Sequence, residues 1–294
     1  MLTRRNLLAG AAVAASSAAT RLSANAQTSN WPYDLSKPED NVDLFAKVVG
    51  SLDDRTTYLQ YYGEIFSVVP NQVQARILRL KGIAKSKWGK TGDHTFFRRN
   101  YDLGLFCDPE TDEILETYQN PFTGEENRPL HYKSGPLEGT VSSIRANGTP
   151  YILPWRITGD QLSLTETSYG ERENYLSPHT WPKASTGPQL YFNTSSTYFA
   201  DVNDVANPDL LSVTADHVWT FLTPFPAWML VGDMPGFAMW RWAARKIIDS
   251  GELDPGIVAG IEQRVPNFFT DEKPWAEHSN GWIQYIKERK PKTG

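Results

Sequence analysis

Cysteine is nearly absent. Cys107 is the only one in 294 residues, so no internal disulfide can form and the Cys-x-x-Cys pairs of structural zinc sites are excluded. It alternates with Leu105 and Leu103 in YDLGLFCD, with no activating neighbour, which is the pattern of a small buried apolar residue and not of a nucleophile. Histidine is scarce as well. The five are His94, His131, His179, His217 and His278, and none lies three or four positions from another, so no helix can offer a metal a His pair. A metal site would have to be assembled from distant strands. The chain also lacks a G-x-G-x-x-G opening a helix, a P-loop and a G-x-S-x-G elbow. Nothing local therefore supports a dinucleotide, a nucleoside triphosphate or a serine nucleophile, and no cofactor is expected.

An excess of positive charge is lacking too, apart from the first residues. MLTRRNLLAGAAVAASSAATRLSANAQ starts with paired Arg4 and Arg5, continues through an apolar run, and ends in Ala24-Asn25-Ala26. That order is a twin-arginine export signal with an A-x-A cleavage site. The run from Leu7 to Ala19 is too short and too alanine-rich to span a membrane. We expect residues 1–26 to be the signal and residues 27–294 to be one mature domain with no membrane span, periplasmic or secreted. Its one expected protein partner is the twin-arginine export machinery. Without Arg4, Arg5 and Arg21 the mature chain has 26 basic and 34 acidic residues, a net charge near −8. Nucleic acid and anionic lipid are poor partners for such a chain.

What the chain does have is aromatic strands. Asn41 to Leu52 reads as a short helix, with Asn41 as N-cap and Gly50 near its end. From Thr57 the period shifts toward two: TYLQYYGEIFSVVP, HTFFRRNYDLGLFCD, QLSLTETSY, PQLYFNTSSTYFAD and LLSVTADHVWTFLT. Turn clusters such as KTGD, DPETD, NPFTGE and VNDVANPD separate these stretches. About ten strands joined by short turns imply a mainly β fold, a large antiparallel meander. Such a sheet must curl to manage its edges. We expect a partly closed, lipocalin-like barrel with a short N-terminal helix and C-terminal helices. The aromatic strands are interrupted by Arg, Glu and Asp, which suits a ligand cavity better than an aliphatic core. WRWAARKIIDSGELD reads as a helix ending near Gly251. Asp254-Pro255 opens another over GIVAGIEQRV, and NGWIQYIKERK reads as a closing strand. Residues from about 224 to 294 are expected to pack as a mostly helical segment across one mouth of the barrel.

Three stretches carry a resemblance. They are Asn120-Pro121-Phe122-Thr123-Gly124-Glu125, preceded by Asp108-Pro109-Glu110-Thr111; Trp228-Met229-Leu230-Val231-Gly232-Asp233-Met234-Pro235-Gly236; and Ser279-Asn280-Gly281-Trp282-Ile283-Gln284-Tyr285. The chain resembles the domain of unknown function 1838 family, exported bacterial and fungal proteins that often carry a twin-arginine signal. The last stretch departs from the family's Ser-Trp-x-x-Phe pattern at Gly281. The resemblance implies membership over most of the mature chain. It implies no activity and lends no catalytic residue.

Candidate chemistry comes from strand faces. Val213, Ala215, His217 and Trp219 share one face, so His217 is either a core histidine or a general acid or base with a burial-lowered pKa. In HTFFRRNYDLGLFCD, Arg99 and Tyr101 share a face that can bind an oxygen and donate a proton. The other face carries Arg98, Asn100 and Asp102, whose plain reading is an exterior Arg98–Asp102 pair. Glu166 alternates with Leu162 and Leu164, where apolar neighbours would raise its pKa. We expect His217, Tyr101, Glu166 and Arg99 to be catalytic, and Tyr118, His131, Tyr151, Trp155 and Trp219 to line the cavity. The expected function is an exported, cofactor-independent enzyme using acid-base chemistry, of isomerase, lyase/hydratase or cyclase type, acting on a small apolar molecule such as a terpenoid, steroid or aromatic. The alternative is a carrier with the same cavity and no chemistry.

Overall fold

The structure is a computed structural model that describes residues 31–289, so the expected export signal lies outside the described residues. The elements in chain order are α1 (Pro38–Val49), β1 (Thr56–Val68), β2 (Ala75–Gly92), β3 (Thr95–Cys107), β4 (Tyr118–Gln119), β5 (Glu126–Asn127), β6 (Tyr132–Ser142), β7 (Trp155–Thr158), β8 (Gln161–Glu173), β9 (Gln189–Asp201), α2 (Val202–Ala206), β10 (Asp216–Thr223), β11 (Phe237–Ile247), α3 (Pro255–Glu262) and α4 (Gly281–Glu288). Nine strands form one antiparallel sheet in the order β6-β3-β2-β1-β11-β10-β9-β8-β7, curled into a half-barrel. The chain meanders outward from β1 to one edge, crosses to the other edge at β7, and meanders back. β11 then closes the circuit by pairing along β1 from Tyr58↔Ile247 to Val68↔Phe237.

The curl is visible in contacts between strands that are not neighbours. Tyr132 of β6 and Trp240 of β11 are four strands apart in the sheet order, yet their rings lie 5.7 Å apart. Phe106 of β3 reaches the same indole at 5.8 Å. These residues define the concave face. α1 closes one end of it: Phe45 meets Trp88 of β2 at 5.8 Å and Tyr198 of β9 at 6.1 Å. The helix starts three residues before the expected Asn41, because Pro38 fits its first turn. Asn41 is spent on tertiary bonds instead, donating to the Leu35 and Lys37 carbonyls and accepting from the Leu153 N–H. Two buried lysines hold the C-terminal end. Lys246 Nζ donates to the carbonyls of Lys47 and Gly50, and Lys47 Nζ donates to those of Val205 and Asn207. They take up carbonyls that a helix end leaves without partners.

The residues from about 224 are only in part the expected helical segment: residues 228–229 and α4 pack at one end of the half-barrel, while the rest differs. WRWAARKI is β11, in the middle of the sheet, and not a helix. α3 is capped as expected, with Asp254 accepting from the N–H groups of Gly256 and Ile257, but it lies on the convex face. There Ile257, Ile261 and Phe268 cover Tyr58, Ile83, Tyr101, Leu103 and Leu105. The closing segment is α4, not a strand, because the Asn280 side chain caps the N–H groups of Trp282 and Ile283.

Candidate functional site

Residues directly paired across a sheet share a face, so the register reads out the concave wall. One row runs Leu164, Tyr198, His217, Ala244, Tyr61, Gly82, Gly104, Tyr132 from β8 to β6. A neighbouring row holds Glu166, Ser196, Trp219 and Trp242. On the other flank, Asp102 pairs with Ala84, and Ala84 with Leu59. The concave face between the two packed ends is here called the lumen. Its β3 wall presents Arg98, Asn100 and Asp102. Its facing wall presents Glu166, Tyr198, His217 and Trp219. Asp102, Asn100, Arg98, Tyr198, Glu166 and Trp219 all keep part of their surface accessible.

Asp102 is the most unusual group in it. Tyr61 reaches across β2 and donates its hydroxyl to Asp102 Oδ1 at 2.7 Å. The reach is possible because the intervening positions are glycines: a Cβ at Gly82 would stand 2.4 Å from the Tyr61 hydroxyl oxygen, and one at Gly104 2.6 Å. Among the described residues no cation pairs with Asp102. Burial raises its carboxyl from the ordinary 3.8 to about 7, although the Tyr61 hydrogen bond pulls the other way. Burial, followed by the Asp102 charge, pushes the Tyr61 and Tyr132 hydroxyls far up.

An aromatic stack crosses the lumen floor. Tyr61 lies on Trp242 at 4.5 Å, Trp242 on Trp219 at 3.7 Å, and Trp219 against Phe221 at 4.7 Å. His217 stacks on Tyr198 at 4.3 Å, and neither of its ring nitrogens has a hydrogen-bond partner among the described residues. Burial lowers its pKa to about 4, so it is neutral at pH 7 and can still donate and accept. Further along β3, Ser86 donates to Asn100 Oδ1 at 2.6 Å and Trp88 Nε1 to Ser86 at 2.9 Å.

The expected site residues are divided between the two faces of the sheet. His217, Glu166 and Trp219 face the lumen. Tyr101 and Arg99 do not join them; they lie on the convex face. Tyr101 is 1% exposed and packs edge-on to Trp275 at 4.8 Å. Arg99 is held by Glu138 at 2.5 Å and Glu272 at 2.9 Å. The exterior Arg98–Asp102 pair does not form either: both side chains point inward, and no ion pair links them. Tyr151 sits at the seam where the sheet's two edges approach, under α1. Tyr118 packs on Trp228 at 5.3 Å and donates to the Ile77 carbonyl at 3.4 Å. His131 Nδ1 accepts the Phe106 N–H at 3.0 Å, where β6 no longer supplies a partner. Burial lowers its pKa to about 4. Trp155 is 40% exposed on the edge strand β7. Cys107 is buried, and burial pushes its thiol up to about 11. Among the described residues no group of three or more His, Cys, Asp or Glu could hold a metal ion, and no helix is long and apolar enough to cross a membrane.

The three stretches singled out in the sequence meet at the end of the lumen opposite α1. Asn120 and Asn127 both donate through Nδ2 to the Met229 carbonyl. Phe122 packs on Phe225 at 5.4 Å, and Tyr285 joins the same cluster as Trp228 and Met229. Their shared work is structural closure. The fold is a β half-barrel with a carboxyl on its concave face. A family model described as a protein of unknown function, DUF1838, matches residues 54–290. The chain belongs to that family. No curated protein matches it.

Proposed function

We propose that the lumen binds a small molecule with an apolar or aromatic body and one polar oxygen, and that Asp102 moves a proton on it. The observation that carries this reading is a carboxyl on the concave face, bonded to Tyr61, without a cationic partner among the described residues, raised by burial to about 7 and beside an aromatic floor. A group with that pKa accepts and returns a proton at comparable cost. Taking a proton from a carbon next to a carbonyl and returning it to another carbon is an isomerisation. Returning it to a departing hydroxyl releases water, a dehydration. Neither reaction changes the overall oxidation state of the substrate. Neutral His217 supplies a hydrogen bond to the substrate oxygen, and Tyr61 fixes one carboxyl oxygen. In this proposal the protein is exported by the twin-arginine route, acts in the periplasm or outside the cell, and needs no cofactor.

Solvent deuterium tests the chemistry before any product is known. Hydroxylated and carbonyl-bearing terpenoids, steroids and aromatics are incubated in D2O with the wild type and with Asp102→Asn, and mass gain is followed. The wild type washes deuterium into a substrate, at a rate that depends on a group titrating near pH 7. Asp102→Asn loses about a hundredfold or more of that rate. Equal rates in the two proteins would remove Asp102 from the chemistry. A ligand that binds and is released without exchange would favour the carrier.

A further inference from the structure

The polar end of the ligand can be read from the seam. A cavity of about 150 Å³ opens there between β6 and β8, lined by Arg98, Ser142, Arg145, Tyr151 and Glu166 among others. Tyr151 is 6% exposed, and its hydroxyl has no hydrogen-bond partner among the described residues. Arg98 and Glu166 line the same cavity without forming an ion pair or a side-chain hydrogen bond with any described residue. The Arg98 guanidinium lies 6.0 Å over the Trp88 ring, in reach of the lumen. Arg145 is fixed over the Tyr151 ring at 4.4 Å and donates to the Ile152 carbonyl at 3.2 Å. Glu166 joins the cavity to the lumen, since it lines the cavity and stands in the same row as Ser196 and Trp219. Glu166 and Arg98 act in opposite senses on the hydroxyls of both Tyr151 and Tyr198, and Tyr198 carries the stacked His217.

Two guanidinium groups against one carboxylate leave the lining one positive charge in excess. Arg98 keeps part of its surface accessible and has no carboxylate partner among the described residues, so its guanidinium donors are free for a ligand. The guanidinium fork and a buried hydroxyl donor match a planar pair of oxygens. We propose that the seam cavity takes a carboxylate, which makes the ligand of the lumen an amphipathic carboxylic acid. Its apolar body lies along the aromatic floor, and its carboxylate meets Arg98, Arg145 and the Tyr151 hydroxyl. Glu166 works against this anion and sets an upper limit on its affinity. The inference rests on the lumen being the binding site, as proposed above.

The test titrates the mature chain, through its tryptophan fluorescence, with 4-phenylbutyrate and with 4-phenylbutanamide at pH 8. The acid is expected to bind about tenfold tighter or more than the amide. Arg98→Gln brings the ratio to about one. Arg145→Gln, on the connecting loop, reduces it in part. Glu166→Gln strengthens the acid and leaves the amide unchanged. Circular dichroism checks that each variant is folded. Equal binding of acid and amide, or a ratio unchanged in both arginine variants, overturns the carboxylate site. If the amide binds and weakens in Trp219→Ala while the acid gains nothing, the lumen stands and the carboxylate site falls. If neither compound binds, both fall.

Discussion

Replacing Asp102 by asparagine should stabilise the protein, and the gain should grow with pH. The wild-type carboxyl has an ordinary value of 3.8 and stands at about 7 when folded. Between those values the unfolded chain has lost the proton and the folded chain keeps it. Proton binding then favours the native state, and that contribution is present in full below 3.8. It disappears as pH rises through about 7, so stability from this group falls over that window. The full difference is worth about 4 kcal/mol at roughly 1.36 kcal/mol per pH unit. Asp102 keeps some accessible surface, so water entering the lumen reduces the figure, and we expect about 2–4 kcal/mol. Asparagine is close in shape and still offers an oxygen to the Tyr61 hydroxyl. Urea unfolding of both proteins from pH 4 to pH 8, followed by tryptophan fluorescence, measures the effect. The two stabilities should lie close together at pH 4 and separate in favour of Asp102→Asn by pH 8. Parallel curves across the range would show that the carboxyl carries no burial penalty. The argument for a proton-transfer group would lose its physical basis with it. If the penalty is found, the wild type tolerates an ionisable group that weakens its own fold, which is expected of groups held for function and not for packing.

The remaining predictions probe the walls around that carboxyl. His217 falls to about 4 on burial, below its ordinary 6.5, so its contribution is present above pH 6.5 and is lost as pH falls through about 4. His217→Phe keeps the stacking on Tyr198 and should flatten the acid side of the stability curve by about 3 kcal/mol between pH 6.5 and pH 4. An unchanged acid limb would mean that the ring is not desolvated. Gly82→Ala places a methyl 2.4 Å from both the Leu103 carbonyl oxygen and the Tyr61 hydroxyl. It should cost about 3 kcal/mol of stability and displace Tyr61 from Asp102. Losing that hydrogen bond should raise the midpoint at which Asp102 affects activity, because the Tyr61 hydroxyl holds the carboxyl down, and a stable variant with an unaltered pH profile would contradict it.

The strands and turns of this fold are written locally, and the curl is not. Alternation and turn residues place β1, β3, β8, β9 and β10, and the tight turn at Asn120–Glu125, because each depends on neighbours within a few positions. NRPLHYKS and EGTVSSIR read as two strands but form one, β6. Its register against β3 shifts near Gly135-Pro136, and a slip of that kind is set by the partner strand. β11 was hidden by composition. FAMWRWAARKI contains Ala, Arg, Met and Lys, which favour helix when isolated. Its burial nonetheless alternates with period two along most of its length. Pairing with β1 on one side and β10 on the other overrides the propensity.

That one misreading also accounts for choosing Tyr101 over Asp102. β3 is covered on both faces. Phe96, Gly104 and Phe106 pack inward, while Tyr101, Leu103 and Leu105 pack under α3. A strand buried on both sides has no polar row to mark its outside. Arg99-Tyr101 and Arg98-Asp102 are then equivalent as patterns, since each is a cation and a titratable group two positions apart. Only the direction of curl separates them, and β11 sets it, because Trp240 and Trp242 fill the concave side. With β11 taken as a helix, the sheet has no interior to which a parity can be assigned. With β11 paired to β1, every odd position of β10 and every even position of β3 faces the lumen. His217 and Asp102 then fall on one surface without any further assumption. The glycines at 82 and 104 acquire their reason in the same step: they clear the path by which Tyr61 crosses to the carboxyl.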